Sequence, residues 1–482
     1  MDRIRRLHAR LGALVMWLKS RVVLDIARHV PRFTADRRAN VAMTFAIALL
    51  PITFAAGMGV DYTMAGRRQT KLDAAADAAA LAAVVPAMLS ETSSQAQTAA
   101  QNVFNAQAST ITGVSNVNLT VNVTQTTSNK SVTQTAVVTY TAQSATAFAG
   151  ILGQKYINIA GTSTATASTA PNINFYVLAD DSPSMAIPAT TSGIDAMMTA
   201  TSGSPKNGTN EGGCAFACHE SDPSYDDLGN PNGEDNYALA RSLGITLRID
   251  NLTTAIENLA STAATTEASN NATYQMAIYT FDTNASSGRN GCTYGSPLNT
   301  IAGLTSNMTT ASNDASNISM LEVYNNSGLL TSTCNDSDGD TDIDDSLTGI
   351  NSIMPTPGNG TSKSGDSPQE VLFFVTDGVE DYMNGGNRQI SLLNTANCTA
   401  IKNRVSSNGL PIRIAVLYLN YLPLPSNSFY TANVEPFQPN IGTTLQSCAS
   451  PGLYQEVTTD QDISTALATL FIDAVNTAHL TD

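Results

Sequence analysis

Apolar positions along this chain change their period several times. From Val41 to Val60 there is no alternation: VAMTFAIALLPITFAAGMGV runs twenty residues without a charge. At ~1.5 Å per residue such a helix crosses the ~30 Å hydrocarbon core of a bilayer. Its one Pro and two Gly are tolerated there. Ahead of it, Ile4, Leu7, Leu11, Leu14, Val15, Leu18 and Val22 recur at helical spacing, with Arg6, Arg10, Lys19 and Arg21 between them. That pattern predicts a basic amphipathic helix over 4–28, lying on the cytoplasmic membrane surface or packed on a partner protein. Beyond the apolar run, the Ala-rich stretch from Asp61 predicts one long helix reaching Ala108, with a break at Pro86. From Val114 the period falls to two: Val117, Leu119, Val121, Val123, then Val132, Ala136, Val138 and Tyr140. Two or three antiparallel strands follow from that, with a short helix at 145–152 and a strand at 157–167.

After residue 170, unbroken apolar runs alternate with helical patterns, as in a doubly wound, mostly parallel α/β sheet. Strands are predicted at 173–179, 274–281, 370–376, 411–418 and 452–457. Helices are predicted at 236–263, 305–320, 342–353, 391–406, 439–448 and 461–478. The chain therefore divides into a cytoplasmic segment 1–38, a membrane helix 39–60, a small α+β spacer 61–169 and an α/β domain 170–482. Polar insertions interrupt that domain at about 200–235 and 284–338.

Charge sharpens this picture. Residues 1–40 carry ten Lys/Arg against three acids, while the whole chain has a net charge of −16. An acidic body repels phosphates, which argues against a nucleic-acid partner. Arg32, Arg37 and Arg38 just before the apolar run put the N-terminus in the cytoplasm and everything after Asp61 outside. The basic region is too long for an ordinary cleaved signal, and the apolar run lacks the Glu of a prepilin, so an uncleaved anchor is expected. All six cysteines (Cys214, Cys218, Cys292, Cys334, Cys398 and Cys448) follow the anchor. An even count on the non-cytoplasmic side fits disulfides, for which 15 pairings exist. Sequence order suggests Cys214–Cys218, Cys292–Cys334 and Cys398–Cys448.

The chemistry concentrates where apolar runs end. Asn174-Phe-Tyr-Val-Leu-Ala-Asp180 closes in Asp180, Ser182 and Ser184; Thr341 opens a helical pattern; Gln369-Glu-Val-Leu-Phe-Phe-Val-Thr-Asp377 closes in Asp377. Ligands of open α/β sheets bind beyond the carboxyl ends of strands. Carboxylates and hydroxyls are hard oxygen donors, suited to Mg²⁺, Mn²⁺ or Ca²⁺. The three segments together resemble the metal-ion-dependent adhesion site of von Willebrand factor A domains. The resemblance implies that Asp180, Ser182, Ser184, Thr341 and Asp377 form the metal set, holding Mg²⁺, with Mn²⁺ or Ca²⁺ as alternatives. Pro183 stands where that family usually carries Gly. It further implies a partner protein presenting an acidic residue, and binding without catalysis. A second resemblance covers residues ~35–85. A Gly-x-x-Val-Asp exit from an apolar segment, then a basic patch and an Asp-Ala-Ala-Asp-Ala-Ala-Ala helix, is similar to TadE/TadG-like Flp pilus assembly proteins. TadG-like members pair that anchor with an A domain. The expectation is a bacterial inner-membrane protein, single-pass, with its bulk in the periplasm, supporting pilus assembly or adhesion.

Two other motifs suggest different chemistry. Cys214-Ala-Phe-Ala-Cys218-His219 has one residue more than the Cys-x-x-Cys-His haem attachment motif, and a local disulfide is the simpler reading. A periplasmic c-type haem redox carrier is the rival function it would imply; a scaffold with a vestigial metal site is another. The acidic run Asp336–Asp345 fails as an EF-hand, with Gly339 fourth and Leu347 twelfth when counted from Asp336. No nucleophile–His pairing, phosphate-binding loop or zinc helix motif is present, so no enzyme is expected.

Overall fold

The computed structural model describes residues 37–128, 131–202, 213–223, 233–283, 285–286, 293–294, 296–325, 339–384, 387–421, 423, 428–458 and 461–475. The predicted helix over 4–28, Cys292, Cys334 and parts of both insertions lie outside them. By contacts the chain divides into two compact units. The first comprises Met1–Ala83, Ala96–Val123 and Ala136–Ala165; the second comprises Val84–Gln95, Thr124–Thr135 and Thr166–Asp482.

The first unit is organised by one helix, Arg37–Ala82, of 46 residues. Pro51 sits inside it, and Thr53 Oγ1 donates to the carbonyls of Leu49 and Leu50 at 2.9 Å each. Val41–Ala82 is the one helix among the described residues long and apolar enough to cross a membrane. Its first half is exposed, whereas Leu72, Ala75, Ala76, Ala79 and Ala80 are buried. This i, i+3, i+4 stripe of small side chains lets neighbours approach closely. Strand β1 (Val114–Thr127), β2 (Val132–Ala145) and β3 (Tyr156–Thr169) form a sheet in that order. In β2, Ala136, Val138, Tyr140 and Ala142 alternate inward. Tyr140 packs on Phe104 in a tilted pair with ring centroids 5.7 Å apart and donates to Asp73 Oδ1 at 2.7 Å. Gly161 leaves room for that pair, because a Cβ there would lie 2.3 Å from Asp73 Oδ1.

The second unit holds a six-stranded sheet. Its strands are β4 (Ile173–Asp180), β5 (Tyr274–Phe281), β8 (Leu298–Thr305), β9 (Gln369–Thr376), β12 (Arg413–Leu419) and β13 (Tyr454–Val457). Between these in sequence lie two short hairpins, β6 (Ala285–Ser286) with β7 (Thr293–Tyr294), and β10 (Val379–Asn384) with β11 (Asn387–Leu392). The order across the sheet is β13-β12-β9-β4-β5-β8. All neighbours run parallel except β8, which is antiparallel to β5. Helices cover both faces. Phe175, Val177, Phe373 and Val375 pack with the helices Arg248–Asn270, Met308–Ala315 and Ile463–Val475. Tyr176, Leu178, Leu372 and Phe374 pack with Ile343–Ile353, Thr395–Lys402 and Ile441–Cys448. Burial on both faces is why β4 and β9 read as continuous apolar runs.

Several elements differ from the sequence expectation, among them the unpredicted helices Thr191–Ala200 and Ser428–Asn433. Leu298–Thr305 falls inside a predicted insertion but forms edge strand β8; only Ala302 is buried in it, so it carries no apolar run. The single helix expected at 236–263 is two, Asn236–Ser242 and Arg248–Asn270, separated by Gly244 at φ +67°. A left-handed glycine ends a helix. The helix expected to begin at 391 begins at Thr395, because Asn387–Leu392 pairs with β10.

Candidate metal centre

The chain visits β4, β5 and β8 on one side of the sheet, then returns to build β9, β12 and β13 on the other. Connections diverge between β4 and β9, leaving a crevice at their carboxyl ends. Asp180 ends β4, and Asp377 directly follows β9. Ser182 Oγ donates to Asp180 Oδ1 at 2.5 Å and its amide at 3.1 Å. Ser182 Oγ and Ser184 Oγ lie 3.1 Å apart. Pro183 begins a 3₁₀ turn over Pro183–Ala186 that directs both serines inward. Gly378, at φ +81°, turns the chain after Asp377; a Cβ there would meet Ile441 at 2.5 Å.

Asp180, Ser182 and Ser184 thus form one hydrogen-bonded cluster, and the buried Asp377 carboxyl acts on Asp180 through its charge. Thr341 is buried but joins differently. Its backbone pairs with Asp381, four residues past Asp377, through N–H···O bonds of 2.7 and 2.8 Å. No hydrogen bond links it to the other four. The turn carrying Thr341 is braced on its far side, where Asp342 accepts from the Asp345 amide at 2.9 Å. Glu380 accepts from the amides of Ile343 and Asp344 at 2.8 and 2.9 Å.

The carboxyls of Asp180 and Asp377 are both fully enclosed. Burial, then the Asp377 charge, pushes Asp180 up to about 7. Burial also raises Asp377, against the pull of Ser184 and Arg248. Asp377 Oδ2 has no hydrogen-bond partner. Two buried carboxyls, two hydroxyls and an unpartnered carboxylate oxygen form a hard-oxygen set that fits a divalent cation of the Mg²⁺ class. Among the described residues no group of three or more His, Cys, Asp or Glu side chains is placed to hold a metal by itself.

The comparisons bear on the other end of the chain. Residues 39–101 match the family described as putative Flp pilus-assembly TadE/G-like. The matched segment takes in most of the long apolar helix Arg37–Ala82, the helix Pro86–Leu89 and the first half of the helix Ser93–Ala108. No curated protein matches the chain. Among solved structures, the pilus adhesin SpaC from Lactobacillus rhamnosus GG aligns at 9% identity and a TM-score of 0.33. The alignment takes in 74% of this chain and 34% of that one, so the chain spans about a third of that structure's length.

Sequence reasoning missed several residues around the cluster. Thr376 Oγ1 donates to Asp180 Oδ2 at 2.7 Å and orients it; its place in the Thr-Asp-Gly run was the available signal. Arg248 is buried, donates to the Asn420 carbonyl at 2.7 Å, and lends Asp377 a positive charge. Nothing in the sequence brings Arg248 to β9. Asp181 and Asp282 are a second buried acidic pair, with Asp282 raised to about 6 by burial. At the cysteine motif, Cys214 is a half-buried thiol and forms no disulfide, contrary to the suggested Cys214–Cys218 pairing. Its Sγ lies 3.6 Å from the Phe216 carbonyl. His219 Nδ1 lies 2.9 Å from Asp235, and its ring packs on Tyr237 with centroids 4.5 Å apart. Cys398 and Cys448 are joined.

Proposed function

We propose that this chain is a single-pass inner-membrane protein of Flp pilus assembly, TadG-like, whose second unit is a von Willebrand A-type domain. In this reading the domain holds a divalent cation, Mg²⁺ foremost, on Asp180, Ser182, Ser184, Thr341 and Asp377. The TadE/G-like match over 39–101 supports the pilus setting. The sheet order, with one antiparallel edge strand and the acidic and hydroxyl loops at the switch point, supports the domain type. The metal reading is carried by one observation: Asp180 and Asp377 are buried together, with Asp377 Oδ2 unpartnered. Buried charge without a partner is costly, and a bound cation would supply the missing charge. A cation held by two carboxylates and neutral oxygens keeps enough Lewis acidity to take a partner's carboxylate as its last ligand. That is protein binding without turnover.

A scaffold with a vestigial metal site is the second reading, favoured by the absence of a hydrogen bond between Thr341 and the cluster. Titration of the detergent-purified chain with Mg²⁺ and Mn²⁺ separates the two. Binding is expected in the parent and its loss in Asp180→Ala; equal binding by that variant removes the metal from the mechanism. In cells, deletion should reduce pili or adherence. An Asp180→Ala, Ser182→Ala variant at normal abundance should not restore them, and full rescue would leave only the scaffold.

A further inference from the structure

The strand β2–β3 connection carries apolar side chains that the fold does not bury. Phe148, Ile151 and Leu152 are 42%, 72% and 61% exposed. They lie in and just before the 3₁₀ turn Ala149–Leu152, which packs on the anchor helix. Asp61 holds that turn. Asp61 is 3% exposed, and its carboxylate accepts from the amides of Ala147, Phe148 and Ala149 at 2.7, 2.9 and 2.7 Å. One helical turn earlier, Gly57 lies beneath the Phe148 ring, and a Cβ at Gly57 would sit 2.4 Å from it. A glycine is needed there for the ring to reach the helix.

The position of this contact along the anchor decides its meaning. Asp61 is the first charged residue after the apolar run, and Gly57 lies within that run. Four residues correspond to ~6 Å of helix rise, so Phe148 stands about 6 Å inside the apolar boundary marked by Asp61. An exposed Phe, Ile and Leu at that level meet acyl chains and headgroups. Lys155 and Tyr156 follow the turn after a gap of two residues, residue types suited to the polar interface. The backbone of the turn is supplied with acceptors by Asp61, which irregular structure at that depth requires.

We propose that the turn Ala147–Leu152 is a second membrane contact, inserting Phe148, Ile151 and Leu152 into the outer leaflet beside the anchor. The occupant of this apolar surface is the lipid bilayer, continuous with the span itself. The inference rests on the reading of Val41–Val60 as that span. Two contacts hold the first unit at one height and tilt on the bilayer, where a lone helix would let it swivel.

Brominated lipids test this with the full chain in phosphatidylcholine–phosphatidylglycerol vesicles. The single tryptophan, Trp17, is replaced by Phe, and one reporter is introduced at a time: Leu50→Trp in mid-span, Ile151→Trp in the turn, and Val117→Trp on β1. Leu50→Trp and Ile151→Trp should each be quenched at least two-fold, and Val117→Trp should not. Bromines near the headgroup should quench Ile151→Trp more than deep ones do. Adding Asp61→Ala should abolish the Ile151→Trp quenching while leaving Leu50→Trp quenched. If Leu50→Trp is quenched and Ile151→Trp is not, the inserted turn is wrong and the span stands. If neither is quenched, the span reading fails and takes the turn with it. Quenching of Ile151→Trp that survives Asp61→Ala would overturn the role assigned to that carboxylate.

Discussion

Individual carboxyls set how this molecule responds to pH. Asp180, raised to about 7 by burial and by Asp377, must lose its proton to bind a cation. Mg²⁺ affinity should therefore be nearly flat above pH 8 and fall about tenfold per unit below pH 7, since each ion displaces at least one proton. Calorimetry across pH 5.5–8.5 checks this; a flat profile would show that Asp180 is not a ligand. Glu370 behaves differently because it lies at the start of β9, away from the cluster. Burial raises it from 4.5 to about 8, while Asn174 Nδ2 donates to it at 3.0 Å. Its folded value lies above its unfolded one, so the folded state keeps the proton. That stabilisation is complete below pH 4.5 and is lost as pH rises through about 8. Within that window the slope approaches ~1.4 kcal/mol per pH unit. Glu370→Gln should flatten the fall in unfolding free energy between pH 5 and pH 8. An unchanged slope would place the titration elsewhere.

Elements are tied by contacts far apart in sequence. Cys398 and Cys448, 50 residues apart, join the helices Thr395–Lys402 and Ile441–Cys448. Lys402 Nζ reinforces the same junction by donating to the Ser447 carbonyl at 2.9 Å. Closing a loop of this length restricts the unfolded chain by roughly 4 kcal/mol. A Cys398→Ala, Cys448→Ala variant should lose roughly 2–4 kcal/mol in denaturant unfolding, with both helices retained. No change in midpoint would mean that the bond does not form in the cell-made protein. Element identity was largely legible. β4 and β9 are all-buried runs, and Pro86 does open a new helix, Pro86–Leu89. Hairpin β10–β11 and edge strand β8 were not legible, because their half-exposed residues show neither a continuous nor a cleanly alternating pattern.

For the whole molecule, charge predicts the orientation of the proposed span. Ten Lys/Arg precede residue 41 and an acidic body follows the apolar run. In the proposed single-pass reading, the positive-inside rule would keep the head in the cytoplasm. Protease added to spheroplasts should digest the chain beyond Asp61 and spare a fragment containing residues 1–38. Protection of the second unit would reverse the topology and remove any extracytoplasmic partner from consideration.

What the sequence determined by itself was local. A charge-free run is a property of twenty consecutive residues, and so is the placing of Asp180 and Asp377 at the ends of apolar strands. Tertiary structure decided which of those residues share a space. Thr376 and Asp180 stand 196 positions apart and meet because β9 pairs beside β4. Arg248 reaches Asp377 from a helix that packs on the sheet, and Thr341 is set by backbone pairing with Asp381. Asp61 finds its three amides 86 to 88 residues downstream. Each of these depends on strand order and helix packing. Those arise from burying surfaces brought together over long loops, a property that no short window of the chain contains.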